Sequence, residues 1–100
     1  MDHMRAKPWF RRKFVYPDGA ILEAVIWEFP ASTPDRPHGL KYRLYYGSED
    51  GTTVIRYDNE TGKGDHRHHG SREVPYRFRD VETLFADFMA DVDRARRCRK

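Results

Sequence analysis

The sequence predicts an α+β fold, an antiparallel sheet of four to five strands packed against one C-terminal helix, and three observations carry that expectation. Two pairs of β-branched and aromatic runs each flank turn-forming residues, a proline-rich stretch separates the pairs, and one apolar stripe at helical period ends the chain. At 100 residues a single domain spanning 1–100 is expected, with an ordered core over about residues 9–97.

The first pair consists of Phe14–Tyr16 and Ile21–Phe29 around Pro17-Asp18-Gly19, where proline presets φ and glycine follows two residues later. The second run is apolar on both alternating faces, which predicts a central strand covered on more than one side. Pro30, Pro34 and Pro37 end it and make residues 30–39 a loop. The second pair is Lys41–Tyr46, alternating basic and apolar residues up to Tyr45, and Thr52–Tyr57, joined by the five residues Gly47–Gly51. An extended piece over Val74–Phe78 is a candidate fifth strand, held to an edge by Pro75.

The helix is read from Val81, Leu84, Phe85, Phe88, Met89 and Val92, which fall on one stripe. Asp80 is the expected N-cap, and Arg94, Arg96 and Arg97 sit where a helix dipole favours cations. The stripe needs an apolar partner, and the sheet is the one available. At this spacing its aromatic and methionine side chains are core.

Composition narrows the function classes. No apolar run approaches the length of a signal peptide core or a bilayer span, so a cytoplasmic protein without a membrane partner is expected. One cysteine, Cys98, supports neither a disulfide framework nor a thiolate zinc site. The net charge of +3 is unevenly spread: residues 1–16 and 61–79 are basic, whereas 17–60 are acidic. Arg11, Arg12 and Lys13, together with Arg56, are candidate nucleic-acid contacts if the fold brings the basic clusters together.

The chemistry concentrates in Tyr57–Gly70, read as a loop between the last long strand and the helix. It holds three glycines, three histidines, two bases and three acids within fourteen residues. Asp58, Asn59, Gly62 and Gly64 are expected to shape the loop, and exposed amides beside Lys63 and Arg67 would attract an anion. Gly62-Lys63-Gly64 lacks the spacing of a nucleotide-binding P-loop, and no cofactor is expected. If residues 65–69 are extended, His66 and His68 share a side and Arg67 takes the other. The two imidazoles then suit acid/base catalysis on RNA, with Lys63, Arg67 and Asp65 completing the candidate catalytic set. Two other readings stay open: a metal held by His66, His68 and Asp65 or Asp58, and a loop whose histidines brace the hairpin through carboxylates. No metal site is assigned, and His69 is expected to stand apart.

Pro17-Asp18-Gly19-Ala20, Val25-Ile26-Trp27, Tyr42-Arg43-Leu44, Tyr57-Asp58-Asn59, Gly62-Lys63-Gly64-Asp65-His66-Arg67-His68, Leu84 and Asp87-Phe88 together resemble the TumE family of bacterial toxin–antitoxin proteins. The similarity covers roughly residues 14–93 and is most specific at 57–68. It implies a toxin acting inside the cell on RNA or translation, paired with a helix-turn-helix antitoxin. The combined expectation is a metal-independent ribonuclease or translation inhibitor that is a possible oligomer. The alternative is a non-catalytic module that docks a helix-turn-helix partner or nucleic acid.

Overall fold

The computed structural model describes residues 7–34, 36–59 and 64–98. Six strands and one helix follow in chain order: β1 (Lys7–Val15), β2 (Ile21–Glu28), β3 (Leu40–Gly47), β4 (Thr53–Asp58), β5 (His66–His69), β6 (Arg72–Pro75) and α1 (Val81–Cys98). The strands form one antiparallel meander in the order β1-β2-β3-β4-β5-β6. The fold class is as expected, with six strands instead of four or five.

Both long hairpins close with the same local chemistry. At the first, the Gly19 amide donates to the Tyr16 carbonyl (2.9 Å), and the Ala20 amide donates to the Asp18 carboxylate (3.0 Å). At the second, Gly51 donates to Ser48 (2.9 Å) and Thr52 to the Asp50 carboxylate (3.0 Å). Gly19 and Gly51 have φ of 90° and 91°, the left-handed position that a three-residue hairpin loop requires.

One face of the sheet carries the core. Ala24, Ile26, Tyr42, Leu44, Tyr46, Ile55 and Tyr57 pack with Leu84, Phe88 and Val92 of α1, and Val81, Phe85 and Met89 flank them. Asp80 caps the helix by accepting a hydrogen bond from the Thr83 amide (2.6 Å), which holds its carboxyl below the usual range. At the other end Arg96 lies 3.8 Å over the Tyr16 ring and contacts Asp18 at 3.2 Å, tying α1 to the first hairpin turn.

Four expectations need correction. The segment read as a loop contains strand β5, His66–His69, paired on both sides. The edge strand is Arg72–Pro75, and the chain leaves the sheet after Pro75, which keeps its missing N–H at the strand end. The first strand begins at Lys7 and not at Phe14, because β2 offers a full ladder to pair with, including a bulge at Trp9. β2 is covered by α1 on one face only; Val25 on the other face is buried (6 % exposed) with Arg11 and Arg43 as its register neighbours.

Candidate functional site

The face of the sheet away from α1 is polar, and the register aligns its side chains in rows. Arg11, Val25, Arg43, Asp58, His66 and Pro75 form one row across all six strands. Lys13, Glu23, Tyr45, Arg56, His68 and Glu73 form the next. Trp27 and Lys41 are paired beyond them, the Lys41 ammonium 5.6 Å from the Trp27 ring centre. Because side chains alternate along a strand, His66 and His68 both belong to this open face.

The two imidazoles are held in defined orientations. His66 Nδ1 lies 3.0 Å from the Gly64 carbonyl, which can only accept, so Nδ1 carries a hydrogen. His68 Nε2 lies 3.1 Å from Arg56 Nη2, a group that can only donate, so this nitrogen is the acceptor. Carboxylates surround the pair: Glu73 Oε2 is 3.6 Å from His66 Nε2 and 3.9 Å from His68 Nε2, and Asp58 Oδ1 is 3.8 Å from His68 Nε2. Asp58 also meets Arg56 Nε at 3.1 Å. Both histidine side chains are largely covered, at 18 % and 15 % exposure.

Next to this pair, Trp27, Lys41, Tyr42, Arg43, Arg56, Asp58 and Asn59 line an open pocket of about 220 Å³. Asn59 shapes its floor. Its side chain accepts from the Tyr42 amide (3.0 Å) and donates to the Leu40 carbonyl (2.8 Å), continuing the β3 ladder where β4 has ended. The Arg36 guanidinium donates to the Asn59 carbonyl (3.0 Å) and holds the chain at the end of β4.

Arg67 lies on the opposite face. It shares a row with Tyr57, Leu44 and Ala24, donates to the Tyr57 hydroxyl (3.3 Å) and lies 3.7 Å from Asp91 of α1. Asp91 is 6 % exposed and also meets His69 Nε2 (3.1 Å) and Arg94 (2.9 Å), so His69 has a structural partner. Asp65 is likewise turned from His66 and His68: it accepts from the Tyr42 hydroxyl (2.6 Å) and lies 3.1 Å from His38 Nε2. Burial and the Asp65 carboxylate push the Tyr42 hydroxyl far above its ordinary pKa. Lys63 lies outside the described residues.

The nucleic-acid candidates divide the same way. Arg56 adjoins the imidazoles, whereas Arg12 is paired with Ala24 on the helix face. Arg11 and Lys13 share the open face with His66 and His68, but four interstrand steps of about 4.8 Å, roughly 19 Å, lie between β1 and β5. The residues missed from sequence are Trp27, Lys41, Arg43 and Glu73; the period-two pattern of Lys41, Arg43 and Tyr45 was the visible signal for the two on β3.

A family model described as Toxin TumE matches residues 6–96. The chain belongs to this toxin family. No curated protein and no solved structure matches it. A toxin of such a system implies an antitoxin partner. Among the described residues of the toxin, no helix is long and apolar enough to cross a membrane, and no three of its His, Cys, Asp and Glu side chains group as metal ligands.

Proposed function

We propose that this toxin acts on RNA as a metal-independent ribonuclease, with His66 and His68 as base and acid. The observation that carries the reading is the pair itself: two oriented imidazoles side by side, with Arg56 at hydrogen-bonding distance, on a sheet face that also presents Arg11, Lys13, Lys41 and Arg43.

His66, its ring oriented by the Nδ1–H bond to Gly64, takes the proton of a ribose 2′-hydroxyl on Nε2. The 2′-oxygen attacks the adjacent phosphorus, the P–O5′ bond breaks, and a 2′,3′-cyclic phosphate forms. His68, protonated between the Asp58 and Glu73 carboxylates once Arg56 turns to the phosphate, gives its proton to the departing 5′-oxygen. Arg56 stabilises charge on the non-bridging oxygens. Asp65 and Arg67 support β5 from its other face. The antitoxin is a helix-turn-helix protein, and its binding would silence the toxin.

Induced expression of wild type, His66→Ala and His68→Ala tests the assignment. Each substitution should abolish growth arrest and leave cellular RNA intact while the purified variants retain the wild-type circular dichroism spectrum. Folded variants that still arrest growth and degrade RNA would remove the catalytic role. The same variants arresting growth without RNA cleavage would leave a binding module as the function.

A further inference from the structure

We infer that the pocket between Trp27 and Asp58 takes one unpaired RNA base and reads its amino edge, so that the toxin selects single-stranded RNA and favours cytosine, adenine or guanine over uracil at that position. This rests on the RNA reading above but not on catalysis by His66 and His68.

The pocket has the three kinds of group that a nucleotide requires. Trp27 supplies an aromatic surface with Lys41 beside it, suited to stacking of a base in any sequence. Arg43 and Lys41 are both exposed at its rim, where a phosphate backbone would run. Asp58 is an acceptor-only group among the lining residues; Oδ2 meets Arg56 and Oδ1 lies 3.8 Å from His68, and the carboxylate has further lone pairs for an exocyclic amine. Uracil carries no such amine.

The pocket also shares two residues with the imidazole pair. Arg56 and Asp58 line it and lie 3.1 Å and 3.8 Å from His68 Nε2. A nucleotide seated in this pocket would therefore meet Arg56 and Asp58, the residues that also contact His68. A paired base, stacked inside a duplex, cannot enter without being extruded. Arg11 and Lys13, at the β1 ends of the two rows, add cations on the same open face.

The test is binding by the His66→Ala/His68→Ala protein, which needs no cleavage, measured by fluorescence anisotropy with labelled oligo-C, oligo-A, oligo-U and duplex RNA at low salt. Oligo-C and oligo-A should bind at least about tenfold tighter than oligo-U and tighter than duplex, in line with the roughly 1–3 kcal/mol that one base contact discriminates. Asp58→Asn should erase the preference, and Trp27→Ala should weaken all single strands by roughly tenfold. In a Trp9→Phe background, the fluorescence of Trp27 should be quenched on binding. Equal affinity for oligo-C and oligo-U, duplex binding as tight as single-strand binding, or unquenched Trp27 would overturn the inference even if the wild-type toxin proves to be a ribonuclease. Selective binding by a toxin that never cleaves RNA would uphold the pocket and remove only the catalysis.

Discussion

Tyr57 near the end of β4 donates its hydroxyl hydrogen to the carboxylate of Asp91 on α1, a buried bond that joins the sheet to the helix. The same carboxylate meets His69 and Arg94, and Arg67 donates to the Tyr57 oxygen, so one acid organises groups from β4, β5 and α1. Tyr57→Phe removes a bond to a charged acceptor and should cost about 1.5–3 kcal/mol. Asp91→Ala leaves Tyr57, His69 and Arg67 without their shared acceptor and should cost more, by the logic of breaking a buried ionic network. Urea denaturation of the two variants gives the order; a Tyr57→Phe protein as weak as Asp91→Ala would contradict it.

The tyrosines predict an alkaline limit to stability. Burial raises the hydroxyl pKa of Tyr42, Tyr57 and Tyr76, reinforced by hydrogen bonds to Asp65, Asp91 and Asp87 respectively. Burial also raises that of Tyr16. The folded chain thus holds protons that the unfolded chain releases near the ordinary tyrosine value of about 10. The contribution is complete below that value and is lost as pH rises above it towards the raised folded values. Urea midpoints should be level in this respect up to about pH 9.5 and then fall, and tyrosinate absorbance of these rings should appear together with unfolding. Early titration of all tyrosines in the folded protein would contradict the prediction.

Asn59 is 1 % exposed and supplies the hydrogen-bond partners of two β3 backbone groups. Asn59→Ala strands the Tyr42 amide and the Leu40 carbonyl, with an expected loss on the order of 2–4 kcal/mol. Asn59→Asp keeps the acceptor for Tyr42 but sets a carboxylate oxygen against the Leu40 carbonyl, so it too should destabilise. Hydrogen exchange at the Tyr42 amide is the specific readout: it should accelerate strongly in Asn59→Ala and less in Asn59→Asp.

The hairpins and the helix were legible because their signals are local. Asp-Gly turns and the Val81–Val92 stripe are dictated by φ preferences and by one apolar face. β5 was not legible, since His66-Arg67-His68-His69 contains no apolar residue at all. It is a strand because β4 offers an edge to pair with and because its inward side chains, Arg67 and His69, end on Asp91 twenty or more residues away. The candidate site was half legible for the same reason. Alternation placed His66 and His68 together, but no local rule put Arg56, Asp58 and Glu73 beside them or turned Asp65 towards His38 and Tyr42.

Arg56 and Arg67 provide the sharpest separation of the two sheet faces. They are register neighbours of His68 and Tyr57, so Arg56 lies with the imidazoles on the open face and Arg67 lies over the Tyr57 ring at 5.8 Å on the helix face. Arg56→Ala removes a cation from the phosphate path and should weaken RNA binding by roughly tenfold or more and reduce the salt slope by about one, with little change in melting temperature. Arg67→Ala loses its bond to Tyr57 and its pairing with Asp91, and should lower the melting temperature while RNA affinity per folded molecule stays near wild type. Arg56→Lys keeps the charge without the fork, and should recover part of the affinity but not the hydrogen bond to His68. Salt-dependent RNA titrations paired with thermal melts measure both axes at once. If Arg67→Ala lost affinity as Arg56→Ala does, with an unchanged melting temperature, the open face could not be the RNA surface.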